Sequence, residues 1–81
     1  MLEVGGLYKF IEENWALHRT LKGPYKNQLF MKNNDKIFIL NIEDRECPTD
    51  CWAFKVLYEN SICFFFVNKQ YGNFPMIEKI C

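Results

Sequence analysis

The sequence predicts a mainly β domain, a small barrel of about five strands with a long loop, or a short helix, after the first of them. Three observations carry that expectation. From residue 28 onward, short runs rich in β-branched and aromatic residues alternate with joints rich in Asn, Asp, Gly and Pro. The runs recur at the close spacing of small barrels and sandwiches. At 81 residues there is room for one domain, 1–81, and a chain of this size buries only about 60 to 65% of the surface its unfolded form exposes. The core is therefore small.

Taken in order, "VGGLYKFI" reads as an entry strand, with glycines leading into an alternating, aromatic-rich run. Leu7, Phe10, Ile11, Trp15, His18 and Leu21 also fall near helical spacing, and Gly23-Pro24 would stop a helix. Short apolar runs cannot be resolved by periodicity alone, and the strand-plus-loop reading is favoured over the helix. "QLFM" then leads into the turn "KNND", "KIFILNIED" runs long, and "ECPTDC" makes an irregular loop. "WAFKVLYE" and "ICFFFVNK" form a hairpin joined by Glu59, Asn60 and Ser61, and "QYGNF" turns into a last strand, "PMIEKI". A strand with one wetted face alternates apolar and polar residues, so Phe64-Phe65-Phe66 either buries both faces or leaves one seeking a partner. Phe64 and Phe66 are expected in the core, and Phe65, on the opposite face, is expected to be covered by a loop or a second molecule.

Composition removes several function classes. About half of the residues are apolar (49%), a quarter are charged, and the ten basic and ten acidic side chains cancel, which argues for a globular protein and against a general polyanion binder. The abundance of Asn, Lys and Ile is what an AT-rich genome would produce. No run approaches the roughly 18–20 apolar residues that span a bilayer, and "MLEVGG" lacks the basic-then-apolar pattern of a secretion signal. A cytoplasmic location follows as the expectation, and with it free thiols for Cys47, Cys51, Cys63 and Cys81. A Cys47–Cys51 disulfide or a four-sulfur zinc domain remains an alternative, although the cysteine spacing lacks paired short knuckles.

Catalytic constellations are few, and no enzyme is expected. His18 is the sole histidine, and nothing in the sequence brings it to a cysteine. Glu12-Glu13 and Glu43-Asp44 are neighbours whose side chains diverge in a strand or helix. Cys47-Pro-Thr-Asp-Cys51 has three intervening residues where thiol redox sites commonly have two, and Gly5-Gly6 lacks the Lys and Ser/Thr of a phosphate loop. No cofactor is implied.

Two binding readings remain. Arg19, Lys22, Lys26, Lys32 and Lys36 interleave with Trp15, His18, Tyr25 and Phe30, as in single-strand nucleic-acid binding, where rings stack bases and cations track phosphates. Residues 43–50 are acidic, so the molecule is dipolar. The leading reading is protein recognition. Trp15, Tyr25, Trp52, Tyr71 and Phe74 exceed what so small a core can hold, and Trp15, Tyr25, Phe65, Tyr71 and Phe74 are the candidate partner-binding residues. The partner would be another protein, or a second copy through an exposed strand edge.

The order "VGGLYKF", long loop, "LFMKNNDKIFILNIED", "WAFKVLYENSICFFFV", "FPMIEKI" resembles an SH3-like barrel of the kind found in small bacteriophage and bacterial accessory proteins. Gly6 stands where an Asp is common in the entry turn, and Asn60-Ser61 replaces the usual Asn-Gly. The acidic and aromatic signature of binders of proline-rich peptides is absent, so that ligand class is not implied. The resemblance implies a non-catalytic accessory protein that binds and modulates a host protein in the cytoplasm.

Overall fold

A computed structural model describes residues 2–21, 28–43, 51–72 and 74–81. Among the described residues there are seven strands: β1 (Leu7–Phe10), β2 (Ala16–His18), β3 (Leu29–Phe30), β4 (Lys36–Ile42), β5 (Cys51–Tyr58), β6 (Ser61–Asn68) and β7 (Ile77–Lys79). They form one sheet in the order β3-β2-β6-β5-β4-β1-β7, antiparallel at every pairing. The chain is mainly β as expected, but the sheet has seven strands rather than about five. The segment read as a long loop contains β2, and residues 7–21 hold two strands and no helix.

The connectivity forces the sheet to curl. β1 and β2 are separated by β4, β5 and β6, about 19 Å in a flat sheet. The link between them, 11–15, would have to be almost fully extended to cover that distance, yet it bends, with Asn14 at φ 70°. The link between β3 and β4 has the same problem. It is folded by a turn in which Asp35 N donates to Lys32 O (3.0 Å), Lys32 N donates to Asp35 Oδ2 (2.8 Å) and Asn34 takes φ 75°. Both links can close only if the sheet rolls into a half-barrel. Once it has rolled, they pair with the strands and each other: Phe10 N donates to Asp35 O (2.8 Å), Asn34 N to Phe10 O (2.7 Å), and Asn14 N to Met31 O (2.8 Å).

The concave face holds the core. Tyr8 and Phe10 of β1, Leu17 of β2, Ile37 and Ile39 of β4, Phe54 and Val56 of β5, and Cys63, Phe65 and Val67 of β6 are buried there, capped by Leu2, Met31, Phe74 and Met76. Phe65 lies at the centre. It makes edge-to-face contacts with Phe10 (centroids 5.3 Å apart) and Trp15 (6.1 Å), and a tilted one with Phe54 (6.5 Å).

This corrects the expected facing of the triple phenylalanine: Phe65 is fully buried, whereas Phe64 and Phe66 lie half-buried on the convex face. The reason is the hairpin turn. Tyr58 pairs with Ser61, so the loop is Glu59-Asn60 alone and Ser61 already belongs to β6. Both loop residues have positive φ, 47° and 64°, as a type I′ turn requires. Glutamate is poorly suited to that conformation. The double replacement Glu59→Asn/Asn60→Gly is therefore expected to stabilise the fold by about 0.5–1 kcal/mol, raising the melting temperature by roughly 2–8 °C in circular dichroism. A lower melting temperature would contradict the turn assignment.

Candidate functional site: an apolar row on the convex face

In an antiparallel sheet, directly opposed residues share a face and form the rows from which surface patches are built. One such row crosses the convex face. Leu7 of β1 opposes Phe38 of β4, Phe38 opposes Leu57 of β5, and Leu57 opposes Ile62 of β6. Beyond β7, Ile80 N (2.7 Å) and Cys81 N (3.3 Å) both donate to Leu7 O, while Leu7 N donates to Cys81 O (3.2 Å). This bulge sets Ile80 beside Leu7 and carries the row on. Ile62 is 51% exposed, Ile80 41%, Leu57 39% and Phe38 37%, with Leu7 half-buried between them. The row thus runs without a polar interruption across five neighbouring strands.

Charge flanks the row on one side. Lys9 opposes both Glu78 and Lys36, and Glu59 lies in the turn that follows β5 at the same end of the row. On the other side lie Lys55, which opposes Phe64, and His18, which opposes Phe64 from β2. The His18 ring packs against Phe66 with centroids 4.9 Å apart, and its Nδ1 is 3.2 Å from the Gln28 side-chain amide. Burial against these rings disfavours the imidazolium and holds the His18 pKa below its usual value. Phe30 completes the apolar character of this end of the sheet, 59% exposed on the short edge strand β3.

The expected partner-binding residues are distributed differently. Phe65 and Phe74 are interior: Phe74 packs on Phe54 with centroids 5.8 Å apart. Inside a single copy neither offers a surface. Trp15 and Tyr71 are brought together, edge to face at 5.8 Å, at the rim of the concave side, where Trp15 Nε1 donates to Glu12 Oε1 (3.1 Å). Trp15 is partly buried over Phe65, and Tyr71 remains 37% exposed. Tyr25 lies outside the described residues. Trp52 packs against the core, with the Lys69 ammonium 4.9 Å from its ring centroid.

The basic residues expected to follow a nucleic-acid strand are not gathered into one track. Arg19 follows the C-terminal end of β2, whereas Lys32 lies beyond Met31, which pairs with Trp15 at the opposite end of that strand. Lys36 sits on the convex face opposite Lys9. Lys22 and Lys26 lie outside the described residues.

Among the cysteines, Cys63 and Cys81 are free thiols, and Cys47, with the Cys47–Cys51 disulfide alternative, lies outside the described residues. Cys51 opposes Asn68 at one end of the hairpin and Cys63 opposes Val56, five residues along β5 or about 17 Å. The two also point to opposite faces, so they cannot share one zinc ion, which corrects the four-sulfur alternative. Burial raises the Cys63 thiol pKa, partly offset by the Arg19 charge, and keeps it a packing group. His18 and Cys63 are likewise on opposite faces of the sheet. Among the described residues no group of three or more His, Cys, Asp or Glu is placed to hold a metal ion, and no cavity opens. No helix there is long and apolar enough to cross a membrane.

The row was missed in the sequence because its members come from five separate segments. The available signals were the apolar residues on both faces of "KIFIL" and Leu57 and Ile62 flanking the turn. Comparisons of the chain with protein-family models, curated proteins and solved structures returned no match.

Proposed function

We propose that this protein is a non-catalytic protein-binding module and that the row Leu7–Phe38–Leu57–Ile62, extended by Ile80, is its contact surface. The observation that carries the reading is the continuity of the row across five strands. Single exposed apolar side chains are ordinary, but a contiguous patch of several hundred Å2 rimmed by charge is a common mark of an interaction surface. The motive expected from the sequence is an excess of aromatic side chains over core capacity, whereas the row is aliphatic apart from Phe38. The contact surface moves from Phe65 and Phe74 to the opposite face of the sheet. The resemblance to SH3-like barrels of small phage and bacterial proteins supports the narrower reading of an accessory protein that binds and modulates a host protein in the cytoplasm. The scattered positions of Arg19, Lys32 and Lys36 give the nucleic-acid alternative no comparable support.

The test is retention of untagged proteins from native cell extract by the tagged full-length chain. Leu57→Lys, at an exposed position, is expected to leave the melting temperature within a few degrees of wild type and to lower retention at least about tenfold. Tyr71→Ala should leave retention intact. The opposite pattern would move the contact to the Trp15–Tyr71 rim and refute the assignment to the row.

A further inference from the structure

We infer that the occupant of the convex row is a second copy of this chain, packed sheet face to sheet face about a two-fold axis that runs along the strands between β4 and β5. The inference rests on the protein-binding reading of the row and names its partner. Three observations support it.

The row is self-complementary. A two-fold axis placed between β4 and β5 reverses the order of the strands, so it sets Phe38 of each copy on Leu57 of its partner and Leu7 on Ile62. Every apolar member of the row from β1 to β6 meets another apolar side chain, and each contact occurs twice.

The charges at one end of the row are compatible with the same operation. Lys9 of β1 opposes Lys36 of β4, two residues from Phe38, and Glu59 lies two residues beyond Leu57 in the β5–β6 turn, so both signs sit at that end. The two-fold brings Lys36 of each copy toward the turn of its partner, which carries Glu59. The formal net charge of zero adds no long-range repulsion between copies.

The area suits a reversible dimer. The exposed parts of Leu7, Phe38, Leu57 and Ile62 amount to on the order of 300 Å2 of apolar surface per copy. With the flanking Lys36, Lys55 and Glu59 side chains, the two copies together bury roughly 1,000 Å2, near the lower bound for a specific interface. Because both faces are convex, contact centres on β4 and β5 and thins toward the strands outside them. A dissociation constant in the micromolar range is therefore expected, rather than an obligate dimer.

Sedimentation equilibrium of the full chain, from about 1 μM to 1 mM, tests the inference. The expected result is a concentration-dependent rise from monomer to dimer mass. Lys36→Glu and Glu59→Lys should each weaken the dimer at least about tenfold, by opposing like charges twice across the axis. The double exchange Lys36→Glu/Glu59→Lys should restore it. Both positions are on the surface, and circular dichroism would confirm that each variant is folded. A wild-type chain that stays monomeric throughout overturns the second copy as occupant. In that case, loss of retained protein on Leu57→Lys would still uphold the row as a binding surface for another protein, and no loss would remove both readings. A dimer unaffected by Leu57→Lys and by the single charge reversals would place self-association elsewhere and equally overturn the inference.

Discussion

Phe65→Ala is expected to cost about 3–5 kcal/mol, the usual penalty for truncating a fully buried phenylalanine whose neighbours cannot collapse into the space. Phe65 has no exposed surface and touches the rings of Phe10, Trp15 and Phe54, which come from the first link and from β1 and β5. These elements are held in place by the closed links of the half-barrel. A domain of 81 residues has about 4–12 kcal/mol of total stability, so the variant should be largely unfolded at 37 °C or survive with a much lower urea midpoint. Phe64→Ala and Phe66→Ala, on the half-buried convex face, should each cost roughly 1 kcal/mol. Urea denaturation of the three variants checks the ordering. If Phe64→Ala were the most damaging, the facing of β6 would be inverted.

Gly6→Ala is expected to cost about 1–3 kcal/mol through overpacking. A methyl group at Gly6 would lie 2.8 Å from Cε2 of Tyr8 and 3.1 Å from the carbonyl oxygen of Glu3. Neither neighbour is free to move. Gly6 N donates to that same Glu3 oxygen (3.0 Å), and the Tyr8 ring is buried with its hydroxyl accepting from Glu3 N (2.9 Å). Tyr8→Phe deletes only that hydroxyl contact and should cost about 0.5–1.5 kcal/mol, which separates the steric effect from the hydrogen bond. A Gly6→Ala protein with wild-type urea midpoint would show that the entry turn can relax around Tyr8, contrary to this account.

The misreading of the triple phenylalanine has a single origin. With a three-residue loop of Glu59, Asn60 and Ser61, Val56 would oppose Phe64 and Phe54 would oppose Phe66, which puts Phe64 and Phe66 inside. With the two-residue loop actually present, Val56 opposes Cys63 and Phe54 opposes Phe65. One residue of turn length therefore exchanges the two faces of β6. Lys55 faces outward in either register, opposing Phe65 in the first and Phe64 in the second, so the pattern of β5 could not choose between them. β2 was missed for a different reason: three residues, Ala16–His18, carry too little pattern to stand out, and they are a strand only because β6 and β3 flank them.

The sequence alone determined that the chain is built of short strands and where most of them lie, because propensity and turn chemistry are local properties. Tertiary structure alone decided which face each strand buries and which distant side chains become neighbours. Leu7, Phe38, Leu57, Ile62 and Ile80 form one surface only through the registers of successive ladders and the bulge at Ile80–Cys81. Register is a relation between strands, fixed by turn length and by the burial of the opposite face, and no single segment contains it.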